Sequence, residues 1–78
     1  MTATYYCSRK AEDLRIGNLF VDWAIRKGKG EEVVYGLPTR ITNIKVTDHV
    51  TDELRVDLQD GRKFRFMPQM EVVVMEFA

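Results

Sequence analysis

Six basic residues carry most of the chemistry this chain can offer: Lys45, Arg55, Lys63 and Arg65 in its C-terminal half, and Lys27 and Lys29 in a glycine-bearing segment before it. Lysine and arginine gathered on one face can hold the phosphates of a nucleic-acid backbone or an acidic protein patch. The segment Lys27-Gly-Lys-Gly30 could turn backbone amides toward a phosphate, but it lacks the spacing of a phosphate-binding loop, and Glu31 and Glu32 cancel its charge. Nucleophiles and metal ligands are scarce, with one cysteine (Cys7), one histidine (His49) and one serine (Ser8). That inventory gives no internal disulfide, no multi-cysteine zinc site and no serine–histidine pair. His49 stands between Asp48 and Asp52, and one imidazole with two flexible carboxylates is a poor metal site. The chain is therefore expected not to be an enzyme, and no cofactor, metal or small-molecule substrate is expected.

The elements that must position these residues belong to a small soluble domain. Seventy-eight residues form one domain (1–78), and a chain of this length buries only ~60–65% of the surface its unfolded form exposes. With 45% hydrophobic and 31% charged residues the chain should fold, while twelve basic against twelve acidic residues leave no global field toward nucleic acid or membrane. No apolar run reaches the ~20 residues of a membrane span, and the first residues lack the pattern of a signal peptide, so a cytoplasmic protein is expected.

Along the chain, Thr4 to Cys7 suits a short edge strand, and Ser8 could cap one helical turn over residues 9–14. Leu19, Val21, Trp23 and Ile25 alternate with Phe20, Asp22, Ala24 and Arg26, which predicts a half-buried strand anchored in the core by Trp23, with Phe20 pointing out. Residues 26–38 read as a long loop or loose hairpin, followed by strands at about 40–48, 53–59, 62–67 and 71–77.

Turn chemistry sets the register. Leu54, Val56, Leu58, Phe64 and Phe66 share one face only if Gln59-Asp60-Gly61 forms a three-residue loop with Gly61 left-handed. Val56 then faces Phe64, Leu54 faces Phe66, Asp57 faces Lys63 and Arg55 faces Arg65. In the preceding hairpin Ile44 and Val46 match Val56 and Leu54, with the tip at His49-Val50-Thr51. The outer face acquires a row of cations, Lys45, Arg55 and Arg65, flanked by Asn43, Asp57 and Lys63 on one side and Thr47, Glu53 and Met67 on the other. Like charges directly opposite one another cost a few tenths of a kcal/mol. The row is either an anion-binding face or a solvated one neutralised by Glu53, Asp57 and Glu71.

The last segment, Met70-Glu-Val-Val-Val-Met-Glu-Phe77, breaks the alternation. With Val72 and Val74 inward, Val73, Met75 and Phe77 point out, and a strand apolar on both faces needs cover on both. The cover comes from the N-terminal segment (Tyr5, Tyr6, Leu14) or from another chain, by sheet-edge pairing or face-to-face packing.

An opening strand, a long irregular loop, a three-stranded meander, a break at Met67-Pro68-Gln69 and a final strand together resemble a Src-homology-3-like small barrel over residues 14–77. The resemblance is architectural: Tyr5, Tyr6, Tyr35 and Trp23 offer no version of that fold's proline-peptide groove. The phrases Asp13-Leu-Arg-Ile-Gly17-Asn and Leu58-Gln-Asp-Gly61-Arg-Lys-Phe64 also resemble short phage-encoded β-proteins. The expectation is a mostly-β fold, a five- to six-stranded small barrel or strongly bent antiparallel sheet with a short N-terminal helical turn. Its expected role is a non-enzymatic interaction module making protein–protein contacts through Phe20, Val73, Met75 and Phe77, including self-association through the C-terminal strand. The alternative is nucleic-acid binding through Lys45, Arg55, Lys63 and Arg65, aided by Lys27 and Lys29.

Overall fold

The computed structural model describes residues 3–27 and 32–77. The chain is mostly β: β1 (Thr4–Lys10), a 3₁₀ turn (Ala11–Asp13), β2 (Leu19–Val21), β3 (Ala24–Lys27), β4 (Glu32–Tyr35), β5 (Thr39–Asp48), β6 (Glu53–Leu58), β7 (Lys63–Phe66) and β8 (Glu71–Phe77). Six strands form one antiparallel sheet in the order β1-β8-β2-β5-β6-β7, while β3 and β4 pair separately as a hairpin. The sheet does not close, because no pairing joins β1 to β7 among the described residues. It nevertheless curls. Phe20 on β2 lies 5.3 Å from Phe64 and 5.7 Å from Phe66 on β7, three strands along, where a flat sheet would hold them roughly 14 Å apart.

The concave side holds the core. Ile41, Val56 and Val74 are fully buried, with Ala11, Leu14, Phe20, Leu58 and Val72 around them. Each buried aliphatic side chain of this size contributes roughly 1.5–3 kcal/mol. The meander has the expected register, with Leu54 opposite Phe66, Arg55 opposite Arg65, Val56 opposite Phe64 and Asp57 opposite Lys63. Gly61 supplies the left-handed residue (φ 92°) of the three-residue loop, and the amide of Leu58 donates to the Arg62 carbonyl at 2.9 Å across it. The β5–β6 hairpin also pairs Ile44 with Val56, Lys45 with Arg55 and Val46 with Leu54, but a register shift beyond Val46 sets Asp48, not Thr47, opposite Glu53. Thr47 still reaches that residue, its hydroxyl lying 3.2 Å from the Glu53 carbonyl. At the tip Asp48 Oδ1 accepts the Val50 amide at 2.8 Å, and Asp52 takes φ 61°, a region that aspartate tolerates better than most residues.

Three expectations are corrected. The N-terminal helical turn is present as the short 3₁₀ turn Ala11–Asp13, but it starts later than expected and Ser8 does not cap it. β1 instead runs through Lys10, held by β8 in an unbroken register from Thr4–Phe77 to Lys10–Glu71, and the 3₁₀ turn that follows has no side-chain cap. The second expected strand breaks at Asp22-Trp23, leaving Trp23 48% exposed and out of the core. Phe20, expected to face outward, is in the core at 4% exposure, because the concave side turns toward the phenylalanines of β7. The stretch read as a loop or loose hairpin contains the β3–β4 pair, in which Ala24 faces Tyr35. Gly36 follows it closely against Trp23: a Cβ there would lie 2.8 Å from the indole nitrogen, so only glycine fits without displacing the ring.

Arg62 ties the ends of three strands together. Its guanidinium pairs with Asp22 beyond β2, donates to Asp60 Oδ2 at 2.7 Å, and lies 3.3 Å from the Thr39 hydroxyl at the start of β5. The Arg62 amide donates to Asp60 Oδ1 at 3.1 Å, and this bond, reinforced by the guanidinium, holds the Asp60 carboxyl below its ordinary range. A depressed folded-state pKa means stability that is present at neutral pH and lost as pH falls through the folded value. Asp60→Asn should therefore melt below the unsubstituted protein at pH 7, and the gap should close in strong acid. A gap in melting temperature that is constant with pH would assign the loss to something other than the Asp60 charge.

Candidate functional site

The outer face of the meander carries the cation row. Lys45, Arg55 and Arg65 stand side by side on β5, β6 and β7, and Lys63 flanks them opposite Asp57. Lys45, Lys63 and Arg65 are exposed. Arg55 is partly covered and turns along its own strand to Asp57, its Nη2 donating to Oδ2 at 3.3 Å. Nε lies 3.1 Å from Oδ1 without the alignment of a hydrogen bond, so the second contact is one of charge alone. Among the described residues this is the one ion pair in the row. Lys29 lies outside the described residues, and so does the side chain of Lys27.

On the other half of the sheet the outer face is apolar. The pairings set Tyr6, Met75 and Leu19 in one row and Ser8, Val73 and Val21 in the next. Met75 and Val73 are half-buried, Val21 is buried, and Phe77, opposite Thr4, is 59% exposed. Tyr35 at the end of β4 stacks on Tyr6 with ring centroids 3.8 Å apart. The N-terminal segment thus flanks β8 through Tyr6, whereas Leu14 goes to the concave core. Of the four residues expected at an interface, Val73, Met75 and Phe77 share this face and Phe20 does not. β8 is hydrogen-bonded on both sides, to β1 along its whole length and to β2 over Val73, Val74 and Met75, so it is an internal strand of the sheet.

A third surface is not evident from the sequence. A groove of about 690 Å³ opens between residues 11–16 and the concave side of the β5–β6 hairpin, with Pro68 at one end. β5 is ten residues long, and the apolar alternation of Ile44 and Val46, matched by Leu54, continues past the end of the closely packed core. Leu14 lies beneath, Val46 is 38% exposed and Ile16 65% exposed. Arg15 is folded back, its Nη1 donating to the Leu14 carbonyl at 2.9 Å and lying 3.3 Å from that of Glu12. The carboxylates of Glu12 and Asp52 stand on the rim and make no ion pair among the described residues. The groove offers contact with aliphatic groups, and its two carboxylates against the one guanidinium of Arg15 leave a net attraction to positive charge. The signal that could have exposed it is the length of the β5 alternation, which overruns the strands available to cover it.

Cys7 is half-buried beside Val74, and His49 is exposed at the hairpin tip. Among the described residues no group of three or more His, Cys, Asp or Glu is placed to hold a metal, and no helix is long and apolar enough to cross a membrane. No protein-family model, curated protein or solved structure matches the chain.

Proposed function

We propose that the protein is a small non-enzymatic interaction module that takes an apolar protein segment, flanked by lysine or arginine, into the groove between residues 11–16 and the β5–β6 hairpin. The observation that carries this reading is the strip of inward-facing aliphatic residues, half-buried Ile44 and Leu54 and exposed Val46, beside the carboxylates of Glu12 and Asp52, which are unpaired among the described residues. A groove of this volume suits a few apolar side chains. The likeness to a Src-homology-3-like barrel is supported by the turn at Pro68-Gln69 between β7 and β8, and it adds no functional residue.

Selection from a displayed random-peptide library should enrich sequences with two or more large aliphatic residues next to a basic one. Val46→Asp should reduce their affinity more than tenfold while leaving the melting temperature within a few degrees, since Val46 is on the exposed part of the hairpin. No enrichment, or binders indifferent to Val46→Asp, would remove the groove as the site.

A second reading is favoured by the cation row: Lys45, Lys63 and Arg65 are exposed and make no ion pair among the described residues, which fits a polyanion such as a nucleic-acid backbone.

A further inference from the structure

We propose that two copies of the chain associate edge to edge through β1, antiparallel and centred on Cys7, so that their sheets become continuous. Among the described residues the two edges of the sheet are β1 and β7, and they differ. β7 is four residues long and presents Lys63 and Arg65, the kind of short, charged edge that resists further pairing. β1 is seven residues long, contains no proline, and pairs with β8 in an unbroken register, so its backbone is straight enough to template another strand. Its first five residues, Thr4-Tyr-Tyr-Cys-Ser8, are uncharged, and its two cations, Arg9 and Lys10, lie together at one end.

That asymmetry selects an antiparallel mate. A two-fold axis perpendicular to the sheet requires residues on the same face to oppose each other, and the register centred on Cys7 pairs all seven positions. Thr4 then faces Lys10 of the second copy, Tyr5 faces Arg9 of the second copy, and Tyr6 faces Ser8 of the second copy. The basic ends are kept apart. Arg9 of the second copy arrives beside Tyr5, whose hydroxyl lies 2.8 Å from Glu76, the carboxylate that already pairs with Arg9 of the same copy. On the outer face the apolar row of Leu19, Met75 and Tyr6 extends toward the axis. This surface is separate from the groove, so either proposal can fail without the other.

Sedimentation velocity on the full chain should show a concentration-dependent dimer. Thr4 is exposed, and each symmetric dimer holds two Thr4–Lys10 contacts, so Thr4→Glu should tighten the dimer and Thr4→Lys weaken it. The two dissociation constants should differ by about tenfold, from paired opposite charges against paired like charges. Opposed Cα atoms in such a pair lie about 4.5–5.5 Å apart, within disulfide range, so copper-phenanthroline oxidation should cross-link the chain through Cys7, and Cys7→Ser should abolish the product. A monomer at every concentration, or a dimer whose affinity ignores the charge at position 4, would overturn the proposal. A charge-ordered dimer that gives no cross-link would overturn the register centred on Cys7.

Discussion

Replacing Phe20 with alanine should lower stability by about 3–5 kcal/mol, most of the margin available to a domain of this size. The melting temperature should fall by more than about 12 °C. The ring is 4% exposed and contacts Phe64 and Phe66, which themselves stack at 6.0 Å. These contacts span the side of the sheet that no hydrogen-bonded pair closes among the described residues, where β2 and β7 are linked through β5 and β6. Truncation therefore removes both the buried area and the aromatic bridge that keeps the sheet curled, and the cavity left between β2 and β7 opens to solvent. An interface residue on the outer face would behave in the opposite way, with melting unchanged and association weakened. Thermal melts by circular dichroism, paired with sedimentation of the same samples, separate the two.

The same residue shows where the sequence is ambiguous. β2 has three residues, and both Phe20 and Val21 are buried, one toward the concave core and the other toward the outer row with Val73. When both faces of a strand are covered, alternation no longer says which face is inside. Trp23 continues the period of Leu19 and Val21 in the sequence, but the strand has ended at Asp22, and a large aromatic ring leaves the core with it. The meander was legible for the opposite reason. Its Leu54, Val56 and Leu58 have one wet face, and the loop ending in Gly61 admits one register that keeps Phe64 and Phe66 beside them.

β1 shows a local signal overridden by a distant one. Ser8 followed by Arg9 and Lys10 suits a capped turn, yet Arg9 pairs with Val72 and Lys10 with Glu71, and only the last strand of the chain can supply that ladder. The groove has the same origin. It exists because the chain leaving β1 crosses Pro68 and Met70, with the Ala11 amide donating to the Met70 carbonyl at 2.8 Å, and so passes beneath one half of the β5–β6 hairpin. Nothing within residues 11–16 announces that crossing.

Asp57→Asn should lower stability by about 1–2 kcal/mol, or roughly 5–10 °C in melting temperature, and part of that loss should return with added salt. Arg55 is held between Lys45 and Arg65, cross-strand neighbours about 4.5–5.5 Å away, and Asp57 supplies its counter-charge. Both side chains of the pair are partly covered, at 31% and 18% exposure, so the contact is less screened than an open surface pair. Asparagine keeps the shape and removes the charge, leaving the row mutually repulsive. Salt then shortens the range of that repulsion. The same variant decides what the row is for. On a polyanion-binding face, freeing Arg55 should strengthen binding to a short duplex DNA at low salt and steepen the slope of log affinity against log salt by about one. On a solvated face that serves only the fold, Asp57→Asn should melt earlier and still leave DNA unbound, because the cations were never arranged to meet phosphates and the aspartate was there to offset their mutual repulsion.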